Sequence, residues 1–146
     1  MPIHDSISNK LCEPVNVSLL KELGLDHENR NILLLTHPVT RLAAKQIRIQ
    51  ILRVMLQTIK KLSRVNLIIK LHPNEMDGMV QSEANNSLLK NVAVIDNLDY
   101  LYDLIHLCDV AVTTFSSTSS IEAVLFGKPV LIINFTGDYN PITGRF

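Results

Sequence analysis

Short apolar runs recur along the chain and alternate with longer stretches in which apolar residues return every three or four positions. The short runs are rich in β-branched residues and have almost no polar interruption, which is typical of strands that are buried on both faces of a sheet. Five such strands are predicted, at residues 31–36, 66–71, 92–95, 110–114 and 129–135.

Helical spacing fills the intervals between these strands. Residues 41–62 predict a long amphipathic helix, and its solvent side is expected to carry Lys45, Arg48, Lys60 and Lys61. Shorter helices are predicted at 76–90, 99–107 and 121–126. The alternation of strand and helix predicts an α/β fold, a Rossmann-like doubly wound parallel sheet with helices on both faces.

The two ends of the chain depart from this alternation. Residues 1–30 combine a polar opening with one short predicted helix at 17–23, and we interpret them as a lead-in or linker segment. The domain itself is predicted at 31–146. Its last residues are rich in turn formers and provide no helix to cover the final strand, so we expect this domain to be truncated at its C-terminus.

Composition narrows the classes of function. The chain has 146 residues, of which 47% are hydrophobic and 19% charged, as expected of one globular domain with a core. Fourteen basic residues balance fourteen acidic ones, so no net charge favours binding to nucleic acid. The two cysteines, Cys12 and Cys108, lie far apart and match no metal-ligand spacing, which favours a reducing, cytoplasmic compartment and no metal. Without a signal pattern or a run long enough to span a bilayer, membrane contact is expected to be peripheral at most.

Five consecutive hydroxyl side chains follow the fourth predicted strand and begin the helix behind it. They are Ser116, Ser117, Thr118, Ser119 and Ser120. This position lies at the carboxyl end of a strand, where open α/β sheets bind ligands, and the N–H groups at a helix start favour an anion. The run therefore predicts a site for phosphate or pyrophosphate. The alternative is structural, because Ser119 and Glu122 have the spacing of a capping box. Glu122 could instead accept hydrogen bonds from a ribose diol.

Two other strand ends carry basic or titratable groups. The sequence KLHP places Lys70 and His72 at the end of the second strand, and THPVTR places His37 and Arg41 after the first. All four side chains can donate to phosphate, and His72 can also take part in proton transfer. The alternative for His72 is a loop position that contacts only water. Because these strand ends meet at one edge of a parallel sheet, we expect one shared site.

Several common kinds of site are excluded because the chain lacks their motifs. The chain has no GxGxxG, no GxxxxGK[ST] and no GxSxG, so dinucleotide, P-loop and serine-hydrolase interpretations fail. Four aspartates surround the third and fourth strands without the spacing of metal ligands, and we interpret them as caps and turn formers. They are Asp96, Asp99, Asp103 and Asp109.

The KLHP sequence and the later stretch VAVTTFSSTSSIEAVLFGKPVLIIN together resemble the C-terminal half of GT-B type glycosyltransferases and their relatives. The likeness covers about residues 31–135. Two branches are most similar: the UDP-N-acetylglucosamine 2-epimerases, and the glycerophosphotransferases and capsule or sialic-acid-type glycosyltransferases that carry an HP motif. The resemblance implies that this domain holds a nucleoside diphosphate. It places the Ser-rich turn on the phosphates, through Ser116, Ser117 and Thr118, and Glu122 on the ribose.

The chain departs from the epimerase pattern in two places. Epimerases have a Ser-Gly-Gly turn where this chain has Ser116, Ser117 and Thr118, and a histidine where this chain has Lys70. The HP-containing transferases fit better, with His72 near the donor phosphates as the catalytic candidate.

The resemblance thus implies the donor-binding domain of a glycosyltransferase of polysaccharide, capsule or cell-envelope polymer biosynthesis. A UDP-sugar or CDP-alcohol would be the substrate, with no further cofactor. The acceptor would bind a missing N-terminal half, so the domain alone should be inactive. The alternatives are an epimerase-type domain and a non-catalytic α/β interaction module. The sequence leaves open the base, the sugar, the acceptor and the oligomeric state.

Overall fold

The computed structural model describes residues 14–37, 42–75, 78–96, 98–114 and 118–133, with the backbone alone at 42–45 and at 98. Within these residues the strands are β1 (Arg30–Leu35), β2 (Val65–Lys70), β3 (Val92–Ile95), β4 (Val110–Thr113) and β5 (Val130–Ile132). The helices are α1 (Ser18–Glu22), α2 (Leu42–Lys61), α3 (Met79–Asn86), α4 (Leu101–Leu107) and α5 (Thr118–Leu125). A 3-10 turn, Leu98–Tyr100, leads into α4.

The strands form one parallel sheet in the order β3-β2-β1-β4-β5, which confirms the predicted doubly wound fold. The register places Leu35 of β1 level with Lys70 of β2 and with Thr113 of β4. The chain runs outward from β1 to β3 and then crosses to β4 on the other side of β1. The strand order therefore reverses between β1 and β4, and the crevice above such a reversal is where open α/β sheets bind ligands.

Helices cover both faces of the sheet, as predicted. On one face α1, α4 and α5 pack around Leu33 and Ile68, and on the other α2 and α3 pack around Leu34 and Leu67. Neighbouring residues of β1 thus enter opposite layers, because successive side chains of a strand point to opposite faces. All four side chains are 0 to 3% exposed. Each such burial contributes about 2 kcal/mol, which explains the continuous apolar runs in the sequence.

A glycine turn carries the chain from α5 into β5. Gly127 has a φ of +69°, a conformation that a side chain would strain. The N–H of Lys128 donates to the carbonyl of Ala123 at 3.0 Å, which satisfies a carbonyl at the end of the helix. The N–H of Ala111 then donates to the carbonyl of Pro129 at 2.9 Å, so β4 pairs with the chain directly after this turn.

The element bounds differ from the sequence predictions in a few places. The first four strands lie within one residue of their predicted bounds, while the fifth is shorter, and residues 134 and 135 lie outside the described part. Helix α3 covers only the middle of the predicted 76–90, since it follows Gly78 and ends at Asn85 and Asn86, which have poor helix propensity.

One assignment on α2 was wrong. Lys60 and Lys61 are exposed as predicted, but Arg48 does not lie on the solvent side. Its side chain is 11% exposed and pairs with Glu75. The physical reason is the helical repeat: Arg48 precedes Ile51 by three residues and Met55 by seven, so it belongs to the buried stripe of the helix.

Buried amides join the loop before β1 to the amino edge of the sheet. Asn66 is 0% exposed, and its Nδ2 donates to the carbonyl of Asp26 at 2.7 Å and to Asn31 Oδ1 at 2.8 Å. Asn31 Nδ2 in turn donates to the carbonyl of Leu107 at 3.1 Å. These contacts satisfy polar groups that would otherwise be costly to bury, and they fix the amino ends of β1 and β2 against α4. None of the described helices combines the length and apolarity needed to cross a bilayer.

Candidate functional site

Polar side chains gather at the carboxyl edge of the sheet, directly above the reversal of strand order. Thr36 and His37 follow β1, the segment from Leu71 to Glu75 follows β2, and Thr114 follows β4. The segments after β1 and β2 are joined by the backbone, because the N–H of Thr36 donates to the carbonyl of Lys70 at 3.1 Å. The predicted meeting of strand ends at one edge is therefore present for β1, β2 and β4.

His37 spans the reversal itself. Its Nδ1 lies 3.3 Å from Thr114 Oγ1, so a side chain after β1 contacts one after β4. The pKa of His37 is lowered, mainly because burial disfavours the charged ring and secondly because His72 is near, while Glu75 opposes the shift. A neutral imidazole is thus favoured, and an approaching anion would raise the pKa and draw a proton to the ring.

Glu75 links three parts of the site through one carboxylate. It accepts hydrogen bonds from the hydroxyl of Thr36, from the guanidinium of Arg48 on α2, and from the backbone N–H of His72 at 2.8 Å. The same N–H also lies 3.0 Å from Thr36 Oγ1. The Glu75 side chain is only 2% exposed, so this buried network holds the segments after β1 and β2 together and against α2.

His72 lies at the outer side of this network. Its Nδ1 accepts a hydrogen bond from the N–H of Asn74 at 3.2 Å. Because Nδ1 acts as the acceptor, the neutral ring carries its proton on Nε2 and presents that N–H as a donor. The hydrogen bond from Asn74 thus orients the ring of His72, the predicted catalytic residue.

Lys70 is the last residue of β2 and is 4% exposed. Its Nζ donates to the carbonyl of Leu71 at 2.8 Å. Burial lowers the pKa of Lys70, while the carboxylates of Asp96 and Glu75 oppose the shift. The ammonium group therefore lies beside the carbonyl of Leu71, the residue directly after β2.

Helix α5 begins next to this edge. Of the hydroxyl run, Thr118 is exposed, Ser119 is half-buried and Ser120 is 5% exposed. The helix starts at Thr118, so Ser119 lies inside its first turn, where it cannot serve as the N-cap that a capping box requires. The carboxylate of Glu122 accepts a hydrogen bond from the hydroxyl of Tyr102 at 3.2 Å.

Most of the predicted site residues can be placed. His37, Lys70 and His72 lie together at the carboxyl edge, while Thr118, Ser119 and Ser120 lie in the first turn of α5 and Glu122 lies in the second. Arg41, Ser116 and Ser117 lie outside the described residues. In the parts of the chain that the structure describes, no three His, Cys, Asp or Glu side chains come together as metal ligands do.

Sequence reasoning missed five residues of this region, namely Thr36, Arg48, Glu75, Tyr102 and Thr114. A signal existed for Arg48, which has the spacing of the buried stripe of α2. Thr36 and Thr114 are the last residues of predicted strands, so their position at a strand end was itself a signal. Glu75 and Tyr102 carry no signal for their side-chain pairing, because Arg48 is 27 residues from Glu75 in sequence and Glu122 is 20 residues from Tyr102.

A parallel sheet of this order, with polar groups above its reversal, defines a Rossmann-like domain of the kind that forms one half of a GT-B protein. The family model of the UDP-N-acetylglucosamine 2-epimerases matches residues 4–139, and the chain belongs to this family. This result confirms the resemblance to the GT-B and epimerase superfamily. No curated protein matches the chain.

Solved structures show the same fold. A protein from Listeria monocytogenes, described as a UDP-N-acetylglucosamine 2-epimerase, is 20% identical, with a TM-score of 0.67 over 90% of this chain and 34% of its own. The Neisseria meningitidis UDP-GlcNAc 2-epimerase bound to UDP-GlcNAc is 22% identical, with a TM-score of 0.63 over 90% of this chain and 36% of its own.

The fold likeness extends to a glycosyltransferase. The NodZ α-1,6-fucosyltransferase soaked with GDP-fucose is 10% identical, with a TM-score of 0.52 over 90% of this chain and 45% of its own. The chain thus spans about a third of the length of the epimerases that it matches.

Proposed function

We propose that this chain is the donor-binding part of an enzyme that acts on a nucleoside diphosphate sugar. The observation that carries the proposal is the contact between His37 and Thr114 across the reversal of strand order, at 3.3 Å. That crevice is the general ligand position of open α/β folds. Family membership favours UDP-N-acetylglucosamine or a related UDP-sugar as the ligand.

The proposed roles follow from the chemistry of the groups at the edge. His37 and His72 donate to the diphosphate, Lys70 supplies positive charge beneath it, and the hydroxyl run at the start of α5 adds neutral donors. Glu122 accepts from the ribose. Arg41 is assigned to the phosphates by its sequence position after the first strand, and Ser116 and Ser117 are assigned by their position in the hydroxyl run and by the family resemblance.

The chemical contribution of this half is to stabilise a departing diphosphate. Cleavage of the bond between the anomeric carbon of the sugar and the diphosphate leaves negative charge on the phosphate oxygens. Donors that are already in place lower the free energy of that charged state. The acceptor, or the base that acts on the sugar, would come from residues outside this chain.

Epimerisation and group transfer are the two candidate reactions. The family match favours epimerisation of UDP-N-acetylglucosamine. Transfer to a polysaccharide or cell-envelope acceptor is favoured by Lys70, which takes the place of the epimerase histidine, together with His72 of the HP motif. An activity assay of the protein that contains this chain would distinguish the two reactions. An epimerase converts UDP-N-acetylglucosamine without an acceptor and forms a 2-acetamidoglycal species. A transferase leaves the sugar unchanged until an acceptor is added.

Nucleotide binding is tested directly on the chain by an amide-resolved NMR titration with UDP, CDP, UDP-N-acetylglucosamine and CDP-glycerol. We expect shifts at His37, at His72 and along the first turn of α5, with a Kd of about 1 mM or lower for the preferred base. His37→Ala should weaken binding about tenfold, because it removes a donor to the phosphates. His27→Ala is the matched control, since His27 is exposed in the loop at the opposite edge of the sheet.

The absence of shifts at the carboxyl edge at millimolar ligand would contradict the proposal. Equal effects of His37→Ala and His27→Ala would contradict the assigned position of the phosphates.

A further inference from the structure

Two helices are joined by a side-chain hydrogen bond close to the carboxyl edge of the sheet. Tyr102 lies in the first turn of α4, and Glu122 lies in the second turn of α5. The hydroxyl of Tyr102 donates to Glu122 Oε1 at 3.2 Å. Both helices start at the edge where the candidate site lies, because each follows the carboxyl end of a strand of the parallel sheet.

The position of the Tyr102 ring is fixed by packing. It stacks on Phe126 with ring centroids 5.8 Å apart and an interplanar angle of 16°. Phe126 is 9% exposed and is contacted edge-on by His106, with centroids 4.7 Å apart. Phe126 directly follows α5 and its N–H donates to the carbonyl of Glu122 at 3.0 Å, so the four-residue spacing places the two side chains on the same side of the helix. The ring of Tyr102 thus packs on Phe126, while its hydroxyl contacts Glu122.

The hydrogen bond from Tyr102 restricts the Glu122 carboxylate, whose charged form is disfavoured by burial. Glu122 is half-buried, and burial raises its pKa, while the hydrogen bond from Tyr102 opposes that rise and favours the charged form. A glutamate side chain has several rotamers, and a bond to a packed tyrosine selects among them. Tyr102 occupies only one carboxylate oxygen. A carboxylate has about four acceptor positions, so it retains capacity for a pair of hydroxyl groups.

We propose that Tyr102 is a positioning residue that holds the Glu122 carboxylate in the orientation required to accept hydrogen bonds from the ribose diol of the nucleotide. This role rests on the proposed function, in which Glu122 contacts the ribose. Tyr102 itself acts through Glu122. It contributes to the recognition of the ribose hydroxyls, and the phosphates are bound independently of it.

The test compares UDP with 2′-deoxy-UDP, because only UDP carries the complete diol. Affinities for both are measured by NMR titration on the native chain and on three variants. Tyr102→Phe removes the hydroxyl and keeps the stacked ring. Tyr100→Phe removes the same atom from a neighbouring tyrosine and is the matched control. Glu122→Gln removes the charge that receives the diol. A thermal melt of each variant checks that it is folded.

We expect the native chain and Tyr100→Phe to prefer UDP over 2′-deoxy-UDP by about tenfold. Tyr102→Phe should weaken UDP binding about fivefold and change 2′-deoxy-UDP binding by less than about twofold, so that the preference largely disappears. Glu122→Gln should abolish the preference. A purely structural role for Tyr102 would weaken both ligands equally and would leave their ratio unchanged.

Three results would overturn the inference. If Glu122→Gln abolishes the preference and Tyr102→Phe does not, Tyr102 does not position the carboxylate. If the native chain binds both nucleotides equally, Glu122 does not read the diol, although nucleotide binding itself is upheld. If the native chain binds neither nucleotide, the proposed function fails and the role of Tyr102 fails with it.

Discussion

Glu75 joins the segments after β1 and β2 to helix α2 through a carboxylate that is almost fully enclosed. Its side chain is 2% exposed and that of its partner Arg48 is 11% exposed. In Glu75→Gln, the buried guanidinium would lose the charge that faces it. We expect this variant to lower the free energy of unfolding by about 3 kcal/mol, measured by urea denaturation at pH 7.

A second Arg–Glu pair provides the control for this prediction. Arg53 and Glu83 form a two-point contact between α2 and α3, but the Arg53 side chain is 60% exposed. Exposed pairs are weakened by solvent and salt, so Glu83→Gln should change the stability by little more than the error of the measurement. Similar losses in the two variants would show that enclosure of the Glu75 pair is not what stabilises it.

Individual site residues were predictable where local position alone brings them to the edge. His37, Lys70 and His72 lie at the ends of predicted strands, and a parallel sheet places all such residues at one edge. Glu75 and Tyr102 were not predictable in this way. Each pairs with a side chain on a helix that is distant in sequence, and the pairing depends on how that helix packs in the fold, which single-sequence patterns do not encode.

At the scale of single elements, α1 tests the interpretation of residues 1–30 as a lead-in segment. Leu19 and Leu20 of this short helix are 1% and 2% exposed and belong to the same core cluster as α4 and α5. Leu19→Ala should therefore lower the free energy of unfolding of the whole chain by about 3 kcal/mol. Val17→Ala is the control, because Val17 lies at the N-cap of α1 and is 63% exposed.

A cooperative transition that shifts for Leu19→Ala and not for Val17→Ala would show that α1 folds with the sheet. Equal stabilities of the two variants would instead support a segment that the domain does not need.

Helix α2 shows what the periodicity of apolar residues predicts correctly within one helix. Its existence and length follow from the repeat of Ile51, Met55 and Ile59, and the observed bounds, Leu42–Lys61, agree with the predicted 41–62 to one residue. Arg48, in contrast, was assigned to the solvent side because it is charged, and that assignment was wrong. A charged residue at a buried-stripe position is better interpreted by its phase in the repeat, because a paired arginine can be enclosed.

At the scale of the whole molecule, stability should depend on pH through His37. Its pKa in the folded chain lies below the ordinary 6.5, so the unfolded chain binds more protons as the pH falls through that value. The contribution of neutral His37 is thus present above pH 6.5 and is lost as the pH falls toward the lowered pKa. We expect the native chain to lose more stability than His37→Gln between pH 7.5 and pH 5.5, measured by urea denaturation.

UDP should reduce this loss, because a bound diphosphate favours the protonated ring. Parallel pH curves for the native chain and His37→Gln would show that His37 does not change its protonation on folding. The comparison with the variant matters because Glu122 acts in the opposite direction: burial raises its pKa, so its protonation at low pH favours the folded state.

The architecture as a whole was more predictable than the site. Parallel pairing and helices on both faces follow from the alternation of buried strands and amphipathic helices, while the order of the strands in the sheet was known only from the structure. The family match agrees with this architecture. Binding geometry depends on tertiary pairs such as His37 with Thr114, which join strand ends 77 residues apart in sequence.

The buried asparagines at the amino edge of the sheet bear on how such a domain can diversify. Asn66 and Asn31 tie the amino ends of β1 and β2 to the preceding loop and to α4, on the side of the sheet opposite the candidate site. Rigidity is thus supplied at the edge opposite the candidate site. Under the proposed function, we therefore expect that loops above the carboxyl ends can be exchanged to accept a different base or sugar without loosening the sheet below them.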